Sequence, residues 1–153
     1  MIVILDSGPV GWITNPHMSG EAEACRERLR LLTAAHHIPV LPEIADYEVR
    51  RELIRAGKRT GLQRLDQLKT TIDYLPLLTD AMLKAAEFWA QARNQGMPTA
   101  DDKALDADVI LAAQAWMLRG SGFEVVVATT NPAHLSRFVP ARHWKDIAPD
   151  ETA

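Results

Sequence analysis

The chain lacks what several common chemistries require. A single cysteine, Cys25, in 153 residues leaves no internal disulfide and no thiolate metal cluster, which points to a reducing compartment. No stretch approaches the roughly 18 consecutive apolar residues of a membrane span. The N-terminus also lacks the basic segment and long apolar core of a secretory signal, so a cytoplasmic location and no membrane partner are expected. Charge of one sign is missing too: a net charge of −3 and a pI near 5.9 argue against a globally basic nucleic-acid binder. The five histidines are scattered, with neither an HExxH pair nor a Ser-His-Asp order, which disfavours zinc and acyl-enzyme hydrolysis. Neither GxGxxG nor GxxxxGK occurs, which removes the usual dinucleotide and nucleotide loops. Gly8 stands where an aspartyl-phosphate phosphatase would carry the second acid of Asp-x-Asp.

What is present fits one globular domain. Hydrophobic residues make up 47% and charged residues 24%, enough for one sizeable core. The domain is expected to span 1–147, with 148–153 as a flexible tail. Ile2 to Leu5 form a continuous apolar run of the kind found in a parallel strand covered on both faces. Ser7-Gly8-Pro9 turns the chain into a helix through Trp12 and Ile13. A second helix is expected from Gly20 to His36, where Ala22, Cys25, Leu29 and Leu32 recur at helical spacing. Residues 38–41 read as a strand, followed by a helix in which Ala45, Val49 and Leu53 share a face. Helices are also expected over 62–72 and from Thr79, which with Asp80 can cap it, to Gly96. In this last helix Met82, Ala85, Ala86 and Trp89 should line one side. The segment 96–120 predicts a long helix burying Leu105, Val109, Ala112 and Trp116. Glu124 to Ala128 is another buried strand, Thr129 to Pro132 a turn, and Trp144 packs a final strand. Strands alternating with helices imply an α/β fold in three layers, with a central parallel sheet of four or five strands.

In such a sheet ligands bind where strand ends lead into helices. Asp6 follows the first strand, and Thr129 to Asn131 follow the last clear one. Glu48 lies about two turns into the helix after Leu41, and Asp106 and Asp108 lie near the start of the long helix. Carboxylates pressed together raise one another's pKa unless a cation joins them. Oxygen ligands without cysteine or a histidine pair select Mg²⁺ or Mn²⁺ over zinc. Metal-assisted phosphodiester hydrolysis fits such a site. Each acid alone has a plainer explanation: Asp6 as a cap, Glu48 as a partner of Arg51, and the acids of 101–108 as complements to a helix dipole. Residues two apart on a helix diverge, so Asp106 and Asp108 can share a site only if Asp106 belongs to the cap or the preceding loop.

Four stretches, read together, resemble the PIN domain, the metal-dependent ribonuclease fold of VapC-type toxins. They are Ile-Leu-Asp6-Ser7; Leu-Pro-Glu-Ile-Ala-Asp-Tyr-Glu48; Asp108-Val-Ile-Leu-Ala-Ala-Gln-Ala; and Val-Val-Val-Ala-Thr-Thr-Asn131 with Phe138 shortly after. Their order spans residues 2 to about 147. The resemblance implies that Asp6, Glu48 and Asp108 hold Mg²⁺ or Mn²⁺ and that RNA is the substrate. It also implies an antitoxin partner and a homodimer. Asn131 stands where many members carry a fourth acid, for which Asp106 or Asp101 would compensate, and the roles of Asp101 and Asp102 stay open. Ser7 and Thr129 would orient the carboxylates or simply cap tight turns. Residues 50–64 carry six basic side chains against Glu52, a candidate grip on phosphates. A PIN-like module that binds RNA or a protein without cutting is the alternative reading, and Asn131 is its main support.

Overall fold

The structure, a computed structural model, describes residues 1–96 and 102–150, without the side chains of 102–104. Its sheet contains β1 (Ile2–Leu5), β2 (Ile38–Pro42), β3 (Asp73–Leu75), β4 (Val125–Thr129) and β5 (Ala141–His143). All pairings are parallel, in the order β3-β2-β1-β4-β5. The connections are α1 (Ser7–Thr14), α2 (Gly20–Ala34), α3 (Glu43–Arg55), α4 (Arg59–Thr71), α5 (Thr79–Asn94), α6 (Asp102–Gly120) and the short α7 (Pro132–Leu135). A 3-10 turn, Trp144–Asp146, follows β5. No helix among the described residues is long and apolar enough to cross a membrane.

Alternation along the strands explains the three layers. Ile2, Ile4, Val125 and Val127 point to one core with Phe88 of α5 and Val109 and Ala112 of α6. Val3, Leu5, Val126 and Ala128 point to the other, with Val10, Cys25, Leu65 and Trp144. Neighbouring residues of a strand face opposite sides, so a strand covered twice must be apolar throughout. Each such side chain contributes about 1.5–3 kcal/mol when buried. The β1 register, Ile4 against Val40 and Leu5 against Ala128, brings the chain out of the sheet at Asp6 between β2 and β4. Strand order reverses there, which opens a crevice at the carboxyl edge.

Several local expectations are corrected. The buried side of α5 is Ala81, Ala85, Phe88 and Ala92, one position off the face expected from Met82, Ala86 and Trp89. Trp89 and Trp116 are each 39% exposed and lie under the cations of Arg93 and Lys84. An amphipathic indole satisfies helical spacing and still sits at a boundary. Leu78, not Thr79 or Asp80, stands at the N-cap of α5, without a side-chain cap hydrogen bond. Trp144 keeps its expected packing role from the 3-10 turn directly after β5, buried in one core with Val126 and Ala128 of β4. The chain after Thr129 winds into α7, led by Pro132 at its first turn.

Two other features complete the scaffold. Gln114, buried in α6, donates to the carbonyls of Leu75 and Pro76 at 2.9 and 3.4 Å and so anchors the exit of β3. Cys25 is buried, its thiol pushed up to about 12 by desolvation and the nearby Glu21. A thiol held neutral in this way is unreactive.

Candidate active site

Asp6 ends β1 and caps α1. Its Oδ1 accepts the backbone N–H of Ser7 at 2.7 Å, and its Oδ2 accepts the hydroxyl of Thr129 at 2.6 Å. Thr129 Oγ1 in turn accepts the N–H of Asn131 at 3.1 Å. The last residue of β4 therefore fixes the carboxylate at the end of β1 while also closing its own turn. Gly8 makes this approach possible, because a Cβ there would stand 2.8 Å from Thr130 Cγ2. A side chain at position 8 would push α1 away from the loop after β4.

Replacing Thr129 by valine keeps the shape and deletes both bonds. We expect a loss of about 2 kcal/mol, since a charge-assisted bond is worth roughly 1.5–3 kcal/mol and the N–H of Asn131 loses its partner. Urea denaturation of Thr129→Val measures this. A loss below about 0.5 kcal/mol would show that the hydroxyl is not holding Asp6 in place.

Glu48 projects from α3, and Asp108 from α6, towards Asp6. The Glu48 carboxyl is pushed up to about 7, first by burial and then by the charge of Asp6; Asp108 acts in the same direction, while Arg51 and Ser7 oppose it. The Asp108 carboxyl is raised by burial and by Asp6, against His134 and Arg137. Acids from three distant segments thus feel one another at one sheet edge. They nevertheless do not form a preassembled cage: among the described residues, no three acid, imidazole or thiol groups converge tightly enough to hold an ion.

Asp106 and Asn131 are placed differently. Asp106 lies inside α6, not in a cap or preceding loop, so it diverges from Asp108. It is exposed and lines the apolar groove of Met82, Ala85 and Trp89. Asn131 caps α7 from an exposed position, without a side-chain bond to the helix. Asp101 lies outside the described residues, as does the side chain of Asp102.

Two residues at this edge escape a reading of the sequence. His134 Nδ1 lies 3.2 Å from Asp108 Oδ2, and Arg137 adds its positive charge. Both follow Asn131 at steps of three, a spacing that becomes informative only once Pro132 is known to start a helix. Arg51 reaches Glu48 at 3.8 Å, so the plain partner reading of Glu48 and its place among the acids hold together.

The basic stretch 50–64 divides by role. Arg50 is committed to Asp46 and Asp66 at 2.9 and 2.8 Å, and Arg64 to the carbonyl of Asn15 at 3.1 Å. Arg51, Arg55 and Lys58 border a cavity of about 470 Å³ that also reaches Ser7, Glu48 and Glu52, and Arg55 is bonded there to Glu52 at 2.8 Å.

No family model matches the chain, and no curated protein matches its sequence. Solved structures do match. VapBC2 from Rickettsia felis, solved on a DNA fragment from its promoter, aligns with a TM-score of 0.73 at 16% identity, over 94% of this chain and 99% of that one. VapBC-1 from nontypeable Haemophilus influenzae gives 0.66 at 15%, over 95% and 100%. Mycobacterium tuberculosis VapC20, a toxin that cleaves the sarcin-ricin loop, gives 0.61 at 15%, over 92% and 98%. The chain has the PIN-domain fold of VapC-type toxins along nearly its whole length.

Proposed function

We propose that this chain is a Mg²⁺- or Mn²⁺-dependent endoribonuclease, the toxin half of a toxin–antitoxin pair. The observation that carries this reading is the electrostatic coupling of Asp6, Glu48 and Asp108 at the switch point of a VapC-type fold. A loose trio suits the chemistry of the ion. Mg²⁺ retains several waters and takes only one or two carboxylates, so it does not require a closed protein cage.

When bound, the ion would supply a Lewis acid for the phosphate and a water of lowered pKa. The protein's own residues do the positioning. Thr129 and Ser7 hold the Asp6 carboxylate in one orientation, and Asp108 is steadied by His134. Glu48, whose carboxyl is pushed up to about 7 by burial and the charge of Asp6 in the metal-free protein, would be held as the carboxylate beside a dication and so serve as a ligand. Arg51 and Lys58, beside Glu48 in the adjoining cavity, offset the repulsion a phosphodiester feels from the acids.

The partners follow as part of the same reading: an antitoxin protein and a second copy of the chain, in the cytoplasm. The apolar groove between α5 and α6, lined by Met82, Trp89 and Ile110, supports self-association. The alternative of a non-cutting RNA- or protein-binding module draws on Asn131, which places an amide where an acid would strengthen metal binding. Purified protein incubated with single-stranded and structured RNAs decides between them. Internal cleavage that needs Mn²⁺ or Mg²⁺ and stops with a chelator is expected. Intact RNA across the panel at stoichiometric enzyme would favour the binding module.

A further inference from the structure

We infer that Tyr47, exposed on α3 beside Glu48, is a base-stacking residue that holds one nucleobase of the RNA next to the acidic centre; this rests on the ribonuclease reading above. Tyr47 is 56% exposed. The Arg51 guanidinium lies over its ring, 5.1 Å from the centroid, and the same group reaches the Glu48 carboxylate at 3.8 Å. Residues three and four apart on a helix are neighbours, which is how Arg51 meets both Glu48 and Tyr47. A cation over an aromatic face restrains both side chains, so the ring is held one guanidinium away from the acid. The rest of the ring is open to solvent.

A nucleotide presents a planar base beside an anionic phosphate, and this corner of the site presents the complement of both. Arg51 borders the cavity that reaches Ser7, Glu48 and Lys58, and Tyr47 stands against Arg51. An unpaired base stacks readily on an exposed aromatic ring, because every base has a π-face. Position separates Tyr47 from other aromatic residues. Phe123, 53% exposed, precedes β4 and so lies at the amino edge of the sheet, opposite the acids. Phe138 is packed against Phe88 at 4.8 Å between ring centroids, and Trp116 lies under the Lys84 ammonium at 4.2 Å. Stacking discriminates little between bases, so Tyr47 requires a base that is unpaired and does not select which one.

The test measures anisotropy of two labelled 20-mers, a mixed-sequence RNA and a fully abasic ribose-phosphate chain of the same charge. Both are titrated with full-length protein in Mg²⁺, with Asp6→Asn present throughout to prevent cutting. Tyr47→Ala should weaken binding of the RNA about tenfold, within the range found when a stacking aromatic is cut to alanine, and leave the abasic chain unaffected. Tyr47→Phe should keep the parent affinity for both, because the ring remains. The slope of log K against log salt should not change in either variant, since no phosphate contact is lost. Phe123→Ala should alter nothing. Unchanged RNA affinity in Tyr47→Ala, or an equal loss on both chains, would overturn the assignment; the second result would mean that the ring acts only by placing Arg51. Intact RNA binding together with a fall from dimer to monomer in light scattering would overturn it in favour of a protein contact. Cleavage of RNA by the parent in any of these cases leaves the ribonuclease reading standing, whereas a parent that neither binds nor cuts RNA removes both.

Discussion

Asp6→Asn should lower RNA cleavage by about 10³-fold, because removing one preorganised electrostatic contact to developing charge costs roughly 10²–10³ and metal affinity falls as well. Its fold should survive. Asparagine caps helices about as well as aspartate, and its carbonyl can still accept from either Ser7 N–H or the Thr129 hydroxyl, the two bonds that hold Asp6. The substitution therefore separates chemistry from scaffolding better than alanine would. It should also lower the Glu48 carboxyl from about 7, since Asp6 is the largest charge raising it after burial. An NMR titration in chelator reads that shift without any RNA. Cleavage within tenfold of the parent would remove Asp6 from the reaction.

The second large effect is on stability. In chelator, Glu48→Gln should be more stable than the parent at pH 8 by about 1–2 kcal/mol and equal to it at pH 4. The folded-state carboxyl titrates near 7 against an ordinary value of 4.5. The folded protein then holds a proton that the unfolded chain releases as pH rises from 4.5 to 7, so this group's contribution declines across that window. Linkage gives about 3 kcal/mol for the full displacement, reduced here because the side chain keeps partial contact with solvent. Asp108 is raised as well, by burial and Asp6, but it is common to both proteins and cancels from this comparison. Saturating Mn²⁺ should reverse the order: an ion at 100 times its Kd stabilises the parent by about 2.7 kcal/mol. Glu48→Gln destabilised equally at pH 4 and pH 8 would mean that Glu48 is an ordinary structural residue.

Much of this was legible in the residues, for reasons that differ between elements. β1 and β4 announce themselves because a doubly covered strand has no polar face to hide, and Asp6 stands out as the charge that ends such a run. The parallel sheet and the edge holding Asp6, Glu48 and Asp108 follow from strand and helix alternation. The orientation of α5 does not follow. Small alanines on its inner side carry less hydrophobic signal than Met82 and Trp89 on its outer side, yet close packing on α6 requires the alanines. α6 is enclosed on several sides around Leu111 to Ala115, so its periodicity is weak and could not assign Asp106 to a face. His134 and Arg137 were invisible for another reason. Their approach to Asp108 depends on how a four-residue helix is set after β4, which no local pattern encodes.

The central claim is that the acids of β1, α3 and α6 share one hard dication. Anomalous scattering from crystals of the full chain grown with Mn²⁺ tests it most directly. The account predicts one principal Mn²⁺ peak at the carboxyl edge of the sheet, bonded to an Asp6 oxygen and to Glu48 or Asp108, directly or through water. A protein that cuts RNA with Mn²⁺ bound elsewhere, and with none near Asp6, would contradict it.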